Sequence, residues 1–417
     1  MDRRFRVVLA GAIGNLLEWY DFGLYGLLAP VLASEFFPGH NRIASLLAVY
    51  GGFAGGFAMR PIGAVFLGRL GDRVGRRFVL VVSVLLMGLS TVAVGLLPGY
   101  RAIGIGAPVL LILTRLFQGF SVGGEFVGSV TYLVETAPLA RRGLAGSVAN
   151  WGATAGMLLG AGAATVATSP AIPRYFDVSA WRVPFLLGGV MASAAYLLRR
   201  GLPEIPGSPS EAGRKSPLRQ AIREQPGALT ATLLFTSGYG IINYITMVFL
   251  PTFAHSFGRI AEHVALRINT AGQALALVLV PVAGWVSDRW LSRRTIIAAA
   301  CLGEAVVAWR AFSVAGGPGA SGLWFAQLSF ALLLALVMGT GPAMLAEQFH
   351  VGYRVSAHAV AFNLGIGIVG GTAPLVAVAL IKTTSNPMAP AGYLIFAALL
   401  SLAGILALRD RSRLPLD

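Results

Sequence analysis

Two carboxylic acids, Glu18 and Asp21, stand three residues apart in an apolar run from Val7 to Ala33. That run is long enough to cross a bilayer, for which about 20 apolar residues suffice. An acid at membrane depth costs at least ~2.5 kcal/mol on insertion scales, so it faces a protein interior or an aqueous path. The spacing puts both on one flank of a helix. In a later apolar segment Arg115, Gln118, Glu125, Ser129 and Tyr132 fall on one helical face. At 1.5 Å per residue they form a polar stripe about 25 Å long. Such a stripe either glues helices through an internal ion pair or walls a wet cavity, and its length favours the cavity. Arg60, just before Pro61, either snorkels to the surface or stands beside the acids. Fixed cations and titratable acids sharing a site are what proton-coupled transport of a carboxylate requires, since an arriving anion changes how favourably a nearby acid holds its proton. Asp21, Glu18 and Glu125 are the candidate proton carriers. Arg115 and Arg60, able to grip a carboxylate bidentately, are candidates for charge balance and substrate binding. Asn15, Tyr20, Gln118, Asn150, Tyr239, Asn243 and Gln273 could orient a small-molecule substrate; as uncharged hydrogen-bonding groups they serve equally as interhelical contacts.

The composition says what must position these groups. The chain has 417 residues, is 56% hydrophobic and only 12% charged, with mean hydropathy +0.74. A soluble domain carries about 25% charge, so this reads as a polytopic protein of the lipid bilayer. Apolar stretches of spanning length lie near 7–33, 46–68, 77–97, 106–133, 144–167, 181–200, 227–255, 266–288, 295–315, 322–347, 354–382 and 390–408. The first is too long and too polar for a secretory signal and shows no small-residue cleavage site.

A net charge of +15 would suggest nucleic acid in a soluble protein. Here the distribution of Lys and Arg explains it better. Only Arg42, Arg101, Arg174, Arg182, Arg259, Arg267 and Lys382 fall on the side opposite the termini, with Arg60, Arg115 and Arg310 inside helices. All the others are on the terminal side, which the positive-inside rule places in the cytoplasm. No nucleic-acid partner is expected. Cys301 is the only cysteine, so neither an intrachain disulfide nor a cysteine zinc site can form. No phosphate-binding Gly-x4-Gly-Lys-Ser/Thr loop occurs, and no cofactor, metal or catalytic cluster is expected.

The chain repeats itself. Gly68-Arg69-Leu70-Gly71-Asp72-Arg73-Val74-Gly75-Arg76-Arg77 follows the second stretch, and a degraded copy, Gly284-Trp285-Val286-Ser287-Asp288-Arg289, follows the eighth. Asp72 and Asp288, Glu135 and Glu347, and Asn150 and Asn363 pair at spacings of 212–216 residues. Two six-helix halves of the same topology follow: 1–200 and 227–417, joined by a Pro-, Gly- and Ser-rich linker over 201–226.

The ten-residue loop resembles the signature loop of the major facilitator superfamily. Gly14–Phe22, Arg60-Pro61-Ile62-Gly63, Arg115-Leu116-Phe117-Gln118-Gly119 with Gly123-Gly124-Glu125, and Gly370-Gly371-Thr372-Ala373-Pro374 narrow the resemblance to its metabolite:proton symporter family. The resemblance covers essentially the whole chain. It implies an all-α membrane protein of twelve transmembrane helices in two pseudo-symmetric bundles, working by alternating access, multi-pass in a bacterial inner membrane with both termini cytoplasmic, and monomeric. It also implies that Asp72, Arg73, Arg76 and Arg77, with Asp288 and Arg289 as a weaker counterpart, form a gate in which an acid meets a helix amino terminus; otherwise that loop is simply solvated. The family carries organic acids and zwitterions. The residue types favour import of a mono-, di- or tricarboxylate, with proline or betaine as the alternative, for which Trp19, Tyr20 and Tyr25 could supply an aromatic cage. Osmosensing betaine carriers have a long carboxy-terminal coiled coil, whereas only Arg409–Asp417 follow the last span. A drug:proton antiporter is a third reading. Its fifth helix would carry Gly-Pro where this chain has Gly152-Ala153. Glu304, Arg310 and His358 receive no firm role, although His358 suits a gate position.

Overall fold

The computed structural model describes residues 3–74, 76–122, 125–170, 179–200, 217–317 and 319–416. The side chains of Asp72, Arg73, Arg76, Arg77 and Glu125 lie outside the described part, as does most of the linker, 201–216.

The twelve apolar stretches become twelve helical segments. They are α1 (Arg3–Leu27, continued by Ala29–Phe36), α2 (Arg42–Val74), α3 (Arg76–Leu96), α4 (Gly106–Ser121 and Glu125–Thr136), α5 (Arg142–Ala167) and α6 (Arg182–Arg200). The second set is α7 (Pro226–Tyr244 through Leu250–Ser256), α8 (Glu262–Arg289), α9 (Arg293–Ala315), α10 (Ala320–Ala346), α11 (Arg354–Phe362 through Ala373–Thr384) and α12 (Ala389–Ala407). Among the described residues, eight of these are long and apolar enough to span a membrane on length and composition alone, and α3 and α6 contain shorter apolar helices. In α1 the apolar character is diluted by Asn15, Glu18 and Asp21, and in α5 by glycines, Ser147, Asn150 and Thr154. Large apolar side chains such as Val306 (79% exposed) and Ile105 (72%) stand on the outside, a surface suited to lipid rather than water.

Packing repeats as the sequence does. Within the first six helices α1 lies on α5, α2 on α4 and α3 on α6; within the last six α7 lies on α11, α8 on α10 and α9 on α12. The sets meet mainly through α5 against α8 and α10, and α2 against α11. The small-residue spacing in α5 lets α1 approach closely: a Cβ at Gly156 would lie 2.3 Å from the Leu16 carbonyl oxygen, and one at Gly160 2.9 Å from that of Tyr20.

Three irregularities shape the interior. α7 and α11 each pass through a π-helical stretch, Ile245–Phe249 and Asn363–Gly370. α4 is not the continuous helix that its polar stripe predicts. Helical geometry stops at Ser121, Val122 is extended (φ −102°, ψ 106°), and the helix resumes at Glu125. The stripe is therefore divided: Arg115 and Gln118 are fully buried, Ser129 turns back to the Phe126 carbonyl, and Tyr132 is exposed. In the linker, Pro217–Glu224 is a short helix whose Ala221 packs on Phe349, Tyr353 and Ala357 at the head of α11.

Candidate functional site

Between the two sets of six lies a narrow central cavity with about 20 Å³ of free space. Its polar lining comes from Asn150 and Thr154 on α5, Tyr239 and Asn243 on α7, and Gln273 on α8. Trp19, Phe362 and the methionines 157, 247 and 338 supply much of the rest. Two small cavities adjoin it. One touches Glu18, Trp19, Arg60, Phe126 and Asn363; the other touches Asn150, Tyr239, His358 and Phe362.

Glu18 and Asp21 share α1 but not a site. Three residues turn a helix by roughly 300°, so the two side chains diverge by some 60°. Glu18 points to Arg60 on α2 and forms a buried ion pair beside the cavity. Asp21, wholly buried, points into the first six helices, away from every cavity described above. Its carboxylate accepts hydrogen bonds from Arg115 Nη1, Thr91 Oγ1 and Gln118 Nε2, each at 2.8 Å, and Arg115 also donates to Gln118 Oε1. The Arg115 guanidinium lies 4.0 Å over the Tyr25 ring. One residue joins the two pairs: the Phe22 ring has the Arg60 guanidinium carbon 5.0 Å and the Arg115 guanidinium carbon 5.2 Å from its centroid. Phe57, whose ring centroid is 4.4 Å from that of Phe22, lies 4.9 Å from the same Arg60 carbon. The Phe22 ring is thus in reach of two like charges, and an aromatic π face attracts cations.

Of the residues expected to touch substrate, the structure brings Asn150, Tyr239, Asn243 and Gln273 to the central cavity and Arg60 to its neighbour. Arg115, Gln118, Asn15 and Tyr20 are elsewhere. Asn15 donates to the Ala149 carbonyl of α5, and the Tyr20 hydroxyl to the Pro184 carbonyl of α6. Of the aromatic trio only Trp19 lines the cavity, stacked on Tyr244 with centroids 6.4 Å apart. Phe126, Phe362 and the methionines had no polar signal to betray them. Glu304 is fully buried with neither carboxylate oxygen hydrogen-bonded, and Arg310 is exposed.

The two faces are held differently. At the face carrying both termini, the Asp288 carboxylate of α8 accepts from the backbone N–H groups of Gly143 (2.7 Å) and Leu144 (2.9 Å) at the start of α5, and from Arg293 at 3.0 Å. A carboxylate at a helix amino terminus satisfies orphan donors and meets the positive end of the dipole. The approach is possible because both helices present glycine: a Cβ at Gly143 would lie 2.6 Å from the Gly284 carbonyl oxygen, and one at Gly284 2.7 Å from that of Gly143. Arg293 also pairs with Glu347, Arg354 with Glu135 across the two sets, and Arg142 with the Leu414 carbonyl. Arg289 lies over the Trp285 ring at 4.9 Å rather than in this cluster. At the opposite face, among the described residues, neutral hydroxyl contacts join the sets: Tyr50 to Thr252 at 3.1 Å and Thr165 to Thr270 at 2.9 Å.

Twelve helices in two matched sets, closed by separate contacts at each face around a central cavity, make this a secondary transporter of the major facilitator fold. The chain belongs to the family described as sugar (and other) transporters, whose sequence profile matches residues 7–228. It is 30% identical to the glycine betaine/proline/ectoine/pipecolic acid transporter of Dickeya dadantii, covering 100% of this chain and 85% of that one. It is 31% identical to the proline/betaine transporter of Escherichia coli K12, over 99% of this chain and 84% of the other. Among solved structures, a D-xylose–proton symporter superposes with a TM-score of 0.75 over 96% of this chain and 97% of that chain, at 19% identity, a likeness of fold.

Proposed function

We propose that this chain is a proton-coupled symporter that imports a small zwitterion of the proline or betaine kind. The observation that carries the reading is charge balance. Among the described residues lining the central cavity and its neighbours, the charged groups are Glu18 and Arg60, already paired, and the rest are amides, hydroxyls, aromatics, thioethers, one imidazole and aliphatic groups. A solute of zero net charge fits there without leaving a buried charge unmatched. A di- or tricarboxylate needs a surplus of cations, and Arg115 is spent on Asp21 behind Phe22. Thus the organic acid that the residue types favour gives way to the zwitterion, a choice the relatives' names also support. Trp19 Nε1 and Gln273 Nε2 are buried donors without protein partners and suit a carboxylate; the π faces of Trp19 and Phe362 suit a substituted ammonium.

In this reading the termini face the cytoplasm of a bacterial inner membrane, and the two sets of six helices rock about the cavity. Asp288 is part of the inner latch. Asp21 carries the coupled proton, with Glu18 exchanging partners as the solute arrives.

Purified protein in liposomes with an imposed inward proton gradient should accumulate labelled proline or glycine betaine, and a protonophore should collapse the accumulation. Gradient-driven uptake of citrate or 2-oxoglutarate with neither zwitterion moved would overturn the assignment. Trp19→Ala should raise KM for glycine betaine roughly 10-fold, since a desolvated cation–π contact is worth about 1–2 kcal/mol. Trp19→Phe, which keeps a ring there, should stay near the wild-type value.

A further inference from the structure

The largest cavity described in the molecule is not the central one. It is a recess of about 490 Å³ at the face opposite the termini. Its walls come from the end of α1 and the start of α2 in the first set of six, and from the end of α7 and the start of α8 in the second. It therefore straddles the seam between the halves. Three charged or titratable side chains line it: Arg42, His255 and Glu262. Arg42 opens α2 and is exposed. Glu262 opens α8 and is half-buried; its Oε1 is covered and has no hydrogen-bond partner. The Arg42 guanidinium shares the recess yet leaves that oxygen unsatisfied. His255 is fixed by a 2.9 Å contact between Nδ1 and the Ile260 carbonyl. The floor and sides are apolar, from Val31, Phe37 and Leu46 among others.

We propose that this recess is a second, outer binding station for a small zwitterion. The solute's carboxylate is held by Arg42 and its cationic end by Glu262, with the aliphatic body against Phe37 and Val31. Opposite charges fixed on different halves, held apart within one cavity, match a ligand that carries both signs a few bonds apart. The bridged pair would meet the unsatisfied Glu262 oxygen and hold solute at the seam through which the central cavity opens. This deepens the zwitterion reading and rests on it for the class of ligand.

The test is the concentration dependence of gradient-driven proline and glycine betaine uptake in liposomes for Arg42→Gln, Glu262→Gln and the reversed pair Arg42→Glu/Glu262→Arg. Each single variant should raise KM about 10-fold, with the wild-type rate recovered at saturating external solute. The reversed pair, which accepts the zwitterion in the opposite orientation, should recover at least half of that loss. An unchanged KM in both single variants overturns the outer station. So does a fall in the saturating rate at unchanged KM, which marks the two residues as part of the rocking motion instead. Wild-type protein that accumulates neither zwitterion defeats the functional reading itself, and is seen before any variant is made.

Discussion

Asp21→Asn should reach the membrane, exchange labelled for unlabelled substrate, and fail to accumulate it. Asparagine keeps the size of the side chain and an acceptor for Arg115 but can neither gain nor lose a proton. Uphill uptake should fall at least about 100-fold, while exchange, which needs no net proton release, continues. Stability should fall as well. Removing one partner of a buried ion pair costs about 3–5 kcal/mol because the other charge stays behind, and Arg115 is 0% exposed. Asp21→Asn/Arg115→Gln separates the two effects: thermal stability should largely return because both charges have gone, whereas coupling should not. Uphill accumulation at the wild-type ratio in the single variant would exclude Asp21 as the proton carrier.

The second large effect is expected at the terminal face. Asp288→Ala removes two hydrogen bonds to the start of α5 and the pairing with Arg293. Hydrogen bonds to a charged group are worth about 1.5–3 kcal/mol each. A net loss of about 3 kcal/mol shifts the closed-to-open ratio at this face about 100-fold. Cys301 is buried and is the only cysteine, so Cys301→Ala provides a silent background. Ser147→Cys then places a reporter where α5 presses on Gly284. Its labelling by a membrane-permeant maleimide should quicken by about that factor in Asp288→Ala. Equal labelling rates with and without Asp288 would mean that the contact does not hold the face shut.

The number of spans and the internal repeat were legible because long apolar runs and motif spacing do not depend on which way a helix is turned. The rotation of each helix was not legible. A helix surrounded by lipid and other helices is apolar nearly all round, so periodicity does not reveal its inward face. In α1, Trp19 faces the cavity while its neighbour Tyr20 bonds α6 and Asn15 bonds α5, and nothing in the sequence separates the three. Glu18 and Asp21 stood out in the sequence as acids at membrane depth, because charge there is costly wherever it points. Their division between two cations depended on Arg60 of α2 and Arg115 of α4 both being packed against α1, a fact of tertiary structure. The interruption at Val122 was hidden for the same reason. Gly123 and Gly124 are consistent with a helix in a membrane segment, where glycine is common.

The two π-helical stretches lie in α7 and α11, and each contributes to the cavity wall, through Met247 and Ile366. A π turn is an α-helix widened to take in one extra residue, and deleting that residue tightens the turn and changes which of its side chains face the cavity. A single-codon deletion in either stretch would therefore present a different set of side chains to the solute, while the ion pairs of α1, α2 and α4 keep their places. Lineages of this fold have in these two segments an inexpensive route to new diets, and chain-length differences there are where a change of solute should first be sought.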